Sequence, residues 1–181
     1  MKEIRIHGRG GQGSVITAEL FAIAAFADGK YSQAFPYFGG ERRGAPVQAF
    51  VRIDDRPIRL RSKIYNPDYV ILQDPSLIGI VDVLQGLGED GMILVNSELL
   101  PEEIGLDTKA RVVTFPATKI ALETLGVPIT NTAIMGAFSA LTGEITIDAL
   151  KPAIEEKFTG ELGEKNLLAA TTAYERVRAS L

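Results

Sequence analysis

Residues 4–29 read IRIHGRGGQGSVITAELFAIAAFADG and decide how the fold begins. Ile4 and Ile6 alternate as in a short strand, and a glycine-rich loop follows directly. Apolar residues then recur at helical spacing over residues 14–27, before Asp28-Gly29 ends the pattern. A strand, a glycine loop and a helix in this order predict the start of a βαβ unit.

The rest of the chain alternates between strands and helices, and its last third contains helices only. The predicted strands are 31–35, 47–53, 58–61, 69–72, 92–95 and 111–115. The predicted helices are 74–84, which Asp74-Pro75-Ser76 starts, 118–125, 131–141, 148–158 and 165–179. Residues 47–53 and 58–61 flank a turn and predict a β-hairpin, which implies a mixed sheet in a βα chain. We expect one domain over residues 1–181, with an α/β fold of three layers, a mostly parallel mixed sheet, a β-hairpin and a helical C-terminal third.

The composition excludes several kinds of chemistry. None of the 181 residues is cysteine, so the chain has no thiolate for iron–sulfur or zinc ligation and no disulfide. A single histidine leaves little for a Ser-His-Asp arrangement. The net charge of −4 argues against a nucleic-acid partner. Neither a signal peptide nor a membrane-spanning segment is visible, so we expect a cytoplasmic protein without a membrane partner.

The glycine loop is the first candidate site. It matches G-x-G-x-x-G between a strand and a helix, where glycines let the backbone approach an anion and the helix presents free N–H groups. A dinucleotide site also needs a carboxylate at the end of the second strand, but Phe35-Pro36-Tyr37 has none, and Asp28 lies in the preceding turn. This disfavours an NAD site and leaves three interpretations: a turn without ligand, a site for a phosphate-bearing ligand, and a contact with a partner chain.

The second candidate site is the loop GERRG at residues 40–44, beside Pro36-Tyr37-Phe38. Arg42 and Arg43 carry guanidinium groups, whose fork geometry suits phosphate or carboxylate. The alternatives are an intramolecular ion pair with Glu41 and a solvated turn. Ordering a loop so rich in Gly, Pro and aromatic residues costs entropy unless something packs on it, which favours an interface.

Other polar residues have structural interpretations. Thr130 or Asn131 can cap the predicted helix 131–141, and Asp148 can act as the N-cap of the helix 148–158. His7, at the edge of the glycine loop, is expected to form a structural hydrogen bond rather than act as a base. We find no nucleophile paired with a base in the sequence.

Taken together, these segments resemble the gamma-subunit family of pyruvate:ferredoxin oxidoreductases, within the wider 2-oxoacid:acceptor oxidoreductases. The resemblance covers essentially the whole chain, and the double arginine favours the pyruvate branch. The motifs that carry it are GRGGQG at 8–13, FPYFGGERRGAPV at 35–47, NPD at 66–68, VP at 127–128 with NT at 131–132, and KN at 165–166 with AY at 173–174.

The resemblance implies a subunit of a heteromeric enzyme of anaerobic metabolism. That enzyme converts pyruvate, coenzyme A and oxidised ferredoxin to acetyl-CoA, carbon dioxide and reduced ferredoxin, or runs in reverse. The resemblance further implies alpha, beta and delta subunits as partners, ferredoxin reached through the complex, and thiamine diphosphate, Mg²⁺ and [4Fe–4S] clusters on those other subunits. The chain alone is expected to be inactive, with no catalytic residue and no metal site of its own.

For this chain itself, we expect a role in coenzyme A handling or in subunit docking. Coenzyme A carries a pyrophosphate and a 3′-phosphate, which suit a glycine loop at a helix N-terminus. The candidate binding residues are Gly8, Arg9, Gly10, Gly11, Gln12, Gly13, Arg42 and Arg43. The alternatives are a free-standing dinucleotide-binding oxidoreductase and an assembly scaffold that binds no ligand.

Overall fold

The structure, a computed structural model, describes residues 1–37 and 43–181. Its described residues form one sheet of six strands in the order β2-β3-β1-β4-β5-β6. The strands are β1 Lys2–Arg9, β2 Tyr31–Tyr37, β3 Pro46–Asp54, β4 Tyr69–Leu72, β5 Met92–Asn96 and β6 Arg111–Phe115. The β1–β4, β4–β5 and β5–β6 pairs are parallel, whereas β3 runs antiparallel to both β1 and β2. The predicted mostly parallel mixed sheet is therefore confirmed.

The helices of the described residues pack together on one face of this sheet. They are α1 Ser14–Ala27, α2 Ala117–Leu125, α3 Asn131–Thr142, α4 Ile147–Lys157 and α5 Gly160–Ser180. Alternate strand residues, among them Ile4, Val51 and Leu94, point into a single apolar core shared with all five helices. Within this core, the ring of Phe138 on α3 contacts Phe21 of α1 edge-on, at a centroid distance of 5.1 Å.

The opposite face of the sheet is covered by loop segments rather than by an α-helix. Val70, Ile93 and Val95 pack there against Leu77 and Val83 in a second, smaller core. The prediction of a helix over residues 74–84 was wrong, because only a 3-10 turn forms there, at Pro75–Leu77. Gly79, whose φ is 80°, follows that turn closely in the left-handed region, where the helical pattern cannot continue. The third layer is thus made of loops.

The hairpin predicted between residues 47–53 and 58–61 was also wrong. Both edges of β3 are occupied, one by β1 and the other by β2, so no edge is left to pair with residues 58–61. The antiparallel neighbours that follow each other in the chain are instead β2 and β3. The alternation that predicted a strand at 58–61 belongs to an extended segment with no strand partner.

Two predicted helix caps differ from the structure. Thr146, not Asp148, is the N-cap of α4, and its side chain accepts a hydrogen bond from the N–H of Ala149 at 3.2 Å. For α3, the N-cap residue is Thr130, but neither its side chain nor that of Asn131 makes a capping hydrogen bond. This second difference leaves polar groups at the start of α3, and they matter for the site described next.

Candidate functional site

The glycine loop turns the chain sharply from β1 into α1. Gly11 and Gly13 have φ values of 97° and 79°, in the left-handed region that glycine adopts without strain. Gly8 permits a close approach, because a Cβ there would overlap Ser14 Oγ and lie 2.8 Å from Gln73 Oε1. Helix α1 begins with no side-chain cap, so its first N–H groups point towards the space in front of the loop.

Two side chains of the loop are engaged with the protein itself. Gln12 Oε1 accepts the N–H of Arg9 at 2.8 Å, and Gln12 Nε2 donates to Asp74 Oδ2 at 2.8 Å. The Arg9 guanidinium donates to Ser76 Oγ and to the Gly44 carbonyl, both at 2.9 Å, and its Nε lies 3.2 Å from Asp74 Oδ2. Arg9 and Gln12 therefore hold the loop in shape.

Asp74 is the acceptor at the centre of these contacts. Burial raises the pKa of its carboxyl, but hydrogen bonds from Ser76 and Gln12 and the nearby charge of Arg9 outweigh burial and hold the pKa below its ordinary value. Asp74 is therefore ionised at neutral pH and acts as a fixed anchor for Arg9 and Gln12.

The two candidate sites of the sequence meet in the structure. The N–H of Gly10 donates to the Ala45 carbonyl at 2.9 Å, and the N–H of Gly44 donates to the Gly10 carbonyl at 3.0 Å. Arg43 lies beside the loop, because a Cβ added at Gly11 would come within 4.0 Å of Arg43 Cγ. Arg42, the other predicted arginine, lies outside the described residues.

A cleft of about 470 Å³ opens in front of the glycine loop. Part of its polar lining comes from the ends of three parallel strands: Gln73 after β4, Asn96 at the end of β5, and Thr118 in the first turn after β6. Asn96 Nδ2 donates to the Gln73 carbonyl and to Thr118 Oγ1, both at 2.9 Å, so these groups form a connected wall. Sequence reasoning missed all three residues, although Asn96 ends a buried strand, Gln73 directly follows one, and Thr118 lies at the start of the helix after β6.

The start of α3 closes the other side of the cleft. Asn131 is 2% exposed, and its Oδ1 has no hydrogen-bond partner among the described residues. The amide lies against Gly13, where an added Cβ would be 2.7 Å from Asn131 Nδ2. A buried acceptor without a partner costs free energy, so this oxygen is suited to a donor on a bound molecule that meets it when the amide turns towards the cleft.

The position of the cleft in the fold is typical of a ligand site. The strands that follow β1 in the chain lie first on one side of it, as β2 and β3, and then on the other, as β4 to β6, so the strand order reverses beside β1. Ligands of open α/β sheets bind at the carboxyl ends of the strands, at such a switch point. A dinucleotide fold, however, places its second strand directly beside the first, whereas here β3 separates β2 from β1. The carboxylate that would hold a ribose therefore has no equivalent position.

His7 has the structural role expected of it. Its Nε2 accepts a hydrogen bond from Arg5 Nε at 2.9 Å, and both side chains are almost fully buried. Burial, and then the charge of Arg5, lower the pKa of His7 to about 3. His7 is therefore neutral at physiological pH, and its bound nitrogen is unavailable as a base.

No group of three or more His, Cys, Asp or Glu side chains in residues 1–37 and 43–181 has an arrangement that could hold a metal ion. Among the helices that the structure describes, none has the length and apolarity needed to cross a membrane.

Comparison with known proteins gives consistent matches over nearly the whole chain. The family model described as pyruvate ferredoxin/flavodoxin oxidoreductase matches residues 3–176. A pyruvate synthase subunit PorC of Methanosarcina barkeri is 61% identical over 154 residues, which are 85% of either chain. The common gamma subunit of the pyruvate/ketoisovalerate oxidoreductases of Pyrococcus abyssi is 55% identical over 181 residues, 98% of either chain. The crystal structure of pyruvate oxidoreductase subunit PORC from Thermotoga maritima matches with a TM-score of 0.85 and 36% identity, over 96% of this chain and 95% of that one.

Proposed function

Because the chain belongs to the pyruvate ferredoxin/flavodoxin oxidoreductase family, we propose that it is the gamma subunit of a heteromeric pyruvate:ferredoxin oxidoreductase and that its glycine-loop cleft handles coenzyme A. The enzyme converts pyruvate, coenzyme A and oxidised ferredoxin to acetyl-CoA, carbon dioxide and reduced ferredoxin, or runs in the reverse direction. In this proposal, the chain holds a substrate and contacts other subunits, while the bond-making steps take place elsewhere.

The unpartnered Oδ1 of Asn131 is the observation that carries the coenzyme A proposal. It is a buried acceptor in the wall of a cleft whose described lining residues carry no charge, and when the amide turns towards the cleft, the amide N–H groups of the pantetheine arm of coenzyme A are donors of the required kind. The uncapped start of α1 supplies N–H donors for phosphate oxygens, and Arg43 beside Gly11 adds a positive charge. Donors for phosphate oxygens and an acceptor for amide N–H groups thus lie around one cleft.

The remaining chemistry of the enzyme is assigned to partner chains. We propose that thiamine diphosphate, Mg²⁺ and [4Fe–4S] clusters lie on alpha, beta and delta subunits, with ferredoxin contacting the complex there. The absence of cysteine from this sequence supports that division, because cluster iron is held by thiolates. We propose a cytoplasmic location, since the reaction consumes coenzyme A and reduces ferredoxin inside the cell.

An assembly scaffold without a ligand is the second candidate function. The observation that favours it is that Arg9 and Gln12, the long side chains of the glycine loop, are already engaged with Asp74 and Ser76. In that case, the glycine loop would be a rigid turn that presents residues 43–45 to a partner. The two candidates differ in whether the cleft binds coenzyme A.

Calorimetry on the assembled oxidoreductase tests the coenzyme A proposal. We expect Asn131→Ala to weaken coenzyme A binding about fivefold, the value of one lost hydrogen bond to a buried neutral group. The matched control is Asn66→Ala, an exposed asparagine just before β4, at the other end of the parallel strands. Equal affinity of wild type and Asn131→Ala contradicts the proposal and favours the scaffold.

The phosphate contact can be located with the same assay. Arg43→Gln is expected to weaken binding of coenzyme A more than binding of 3′-dephospho-coenzyme A, if Arg43 contacts the 3′-phosphate. An equal loss for both ligands would assign Arg43 to the pyrophosphate, and no loss for either would remove Arg43 from the site.

The activity of the isolated chain distinguishes a subunit from a free-standing enzyme. We expect no reduction of a viologen dye by the purified chain with pyruvate and coenzyme A. A free-standing dinucleotide enzyme predicts retained NAD(P)H or flavin, which an ultraviolet–visible spectrum of the purified chain would reveal.

A further inference from the structure

Residues 55–63, the basic segment, form an extended strap that leaves β3 and reaches, at Ser62, the face of the sheet opposite the helices. They read DDRPIRLRSK from residue 54 and follow directly after β3. Arg52, which is buried on β3, donates from Nη2 to the Ser62 carbonyl at 2.7 Å, and Ile64 is buried just beyond the segment. The strap is therefore fixed to the sheet near its end, and its outer surface has a defined position.

The outer surface of the strap carries concentrated positive charge. The segment contains four cations, Arg56, Arg59, Arg61 and Lys63, against the single carboxylate of Asp55. In residues 1–37 and 43–181, none of these four cations lies within 4 Å of a carboxylate, although the whole chain has a net charge of −4. The charge on this strap is thus not compensated within the described part of the chain.

Among the described residues, the peptide groups of residues 57–63 have no hydrogen-bond partner except the Ser62 carbonyl, which accepts from Arg52. Between described residues, no backbone-to-backbone hydrogen bond involves residues 57–63. The alternation Ile58-Arg59-Leu60-Arg61 is that of a strand, but both edges of the neighbouring β3 are already taken. Peptide groups in an ordered segment need partners, and in the free chain water must supply them.

Apolar and aromatic side chains accompany the charge. Leu60 is 49% exposed, Tyr65 61% and Tyr37 45%. Lys63 Nζ lies 4.6 Å from the centroid of the Tyr37 ring and 5.3 Å from that of Tyr65, so one cation joins the two rings through cation–π contacts. Exposed tyrosine and arginine together are the composition typical of the energetic centre of a protein interface.

We propose that the basic segment, with Tyr37 and Tyr65, docks an acidic surface on a partner subunit of the oxidoreductase. This inference rests on the proposed function, because it takes the chain to be one subunit among several. The uncompensated cations select an acidic partner, and the exposed Leu60 and tyrosines supply the apolar contact. A second copy of this chain is disfavoured as the occupant, since two such straps would bring like charges together.

The test uses the other subunits, purified as a complex, and this chain added back. Arg59→Glu/Arg61→Glu is compared with Lys151→Glu/Arg178→Glu, a matched control that makes the same charge change at exposed positions of α4 and α5. We expect the segment variant to bind at least about tenfold more weakly, with a smaller salt dependence, and the control to bind within about twofold of wild type. Circular dichroism confirms that both variants are folded.

Each outcome has a separate meaning. If the wild-type chain does not bind the other subunits, the proposed function fails and the inference falls with it. If wild type binds and Arg59→Glu/Arg61→Glu binds equally well, the inference alone is overturned. A wild-type chain that dimerises in sedimentation, and a variant that does not, would make a second copy the occupant and also overturn it.

Hydrogen exchange supplies a measurement that needs no variant, should the variant fail to fold. Amides of residues 58–63 are expected to exchange at least about tenfold more slowly in the assembled complex than in the isolated wild-type chain, because the partner would cover or pair them. Unchanged exchange over this segment on assembly overturns the inference.

Discussion

Single residues of the site differ in how far the sequence could predict them. The glycine loop was predictable, because its pattern is contiguous and each glycine answers a local need, such as the positive φ of Gly13. Gln73, Thr118 and Asn131 were not predictable as a group, since they come from separate elements and meet only where the parallel strands end. No spacing in the sequence indicates that these three residues lie close together, because their proximity follows from the order of the strands in the sheet.

Alanine substitutions at Gly13 and Gly29 separate the backbone strain of a positive φ from the cost of a close contact with Asn131. We expect Gly13→Ala to lower the free energy of unfolding by roughly 2–4 kcal/mol, because the residue keeps a left-handed conformation and its Cβ would meet Asn131 at 2.7 Å. Gly29→Ala is the control: its φ is 75° and nothing lies within 4 Å of an added Cβ, so strain alone should cost about 1–2 kcal/mol. Urea unfolding measures both, and equal losses would contradict the predicted contact with Asn131.

The buried His7 predicts acid sensitivity of the fold. Its pKa is about 3 in the folded protein and 6.5 ordinarily, so the unfolded chain binds the extra proton between these values, and stability falls as pH falls through that window. Between pH 6.5 and 4.5, wild type should lose about 2 kcal/mol more free energy of unfolding than His7→Gln, which cannot titrate. Urea unfolding at the two pH values measures this, and parallel losses would show that His7 does not control the acid response.

Whole elements were predictable where one local pattern sufficed. Helix α1 has the predicted bounds, 14–27, and the apolar runs at 69–72 and 92–95 are strands. The prediction of a strand at residues 58–61 was wrong. Alternation of apolar and polar residues indicates a strand, but it does not show whether a neighbouring strand has a free edge for pairing. The helix predicted over residues 74–84 does not form. Apolar side chains of this stretch fill the second core from loop conformations, and Gly79 is in the left-handed region. Both errors concern tertiary context, which a local pattern does not contain.

The contact between α3 and α5 depends on one glycine. A Cβ at Gly136 would overlap the carbonyl of Ala170, so the two helix backbones approach each other there directly. We expect Gly136→Ala to destabilise the protein by about 1–3 kcal/mol, although alanine favours a helix over glycine by about 1 kcal/mol. Gly136→Ser should cost more. A stabilised Gly136→Ala in thermal or urea unfolding would show that the helices separate at little cost.

At the scale of the molecule, the two faces of the sheet are built differently. One face carries a large core shared by α1–α5, and the other carries a small core under loops and 3-10 turns. Local opening takes place where few apolar contacts hold a segment, so the loop face should open at lower free energy than the helical face.

Hydrogen exchange of the isolated chain tests this asymmetry. We expect amides of residues 77–91 to exchange at least about tenfold faster than those of α3, whose residues are almost all buried. Leu77→Ala should accelerate exchange on the loop face first, whereas Phe138→Ala should accelerate it throughout. Similar exchange rates for residues 77–91 and α3 in wild type would contradict the predicted difference between the faces.

The two hydrogen bonds between Gly10 and residues 44–45 make the cleft and the start of β3 parts of one rigid unit. A molecule that fixes the glycine loop also fixes Gly44 and Ala45, and a protein that repositions those residues must reposition the loop. Thermodynamic reciprocity then requires that any effect of subunit assembly on ligand affinity be matched by an equal effect of the ligand on assembly. If a ligand binds at the loop and a partner at residues 44–45, Gly10 is a direct link between the two events that avoids the body of the protein.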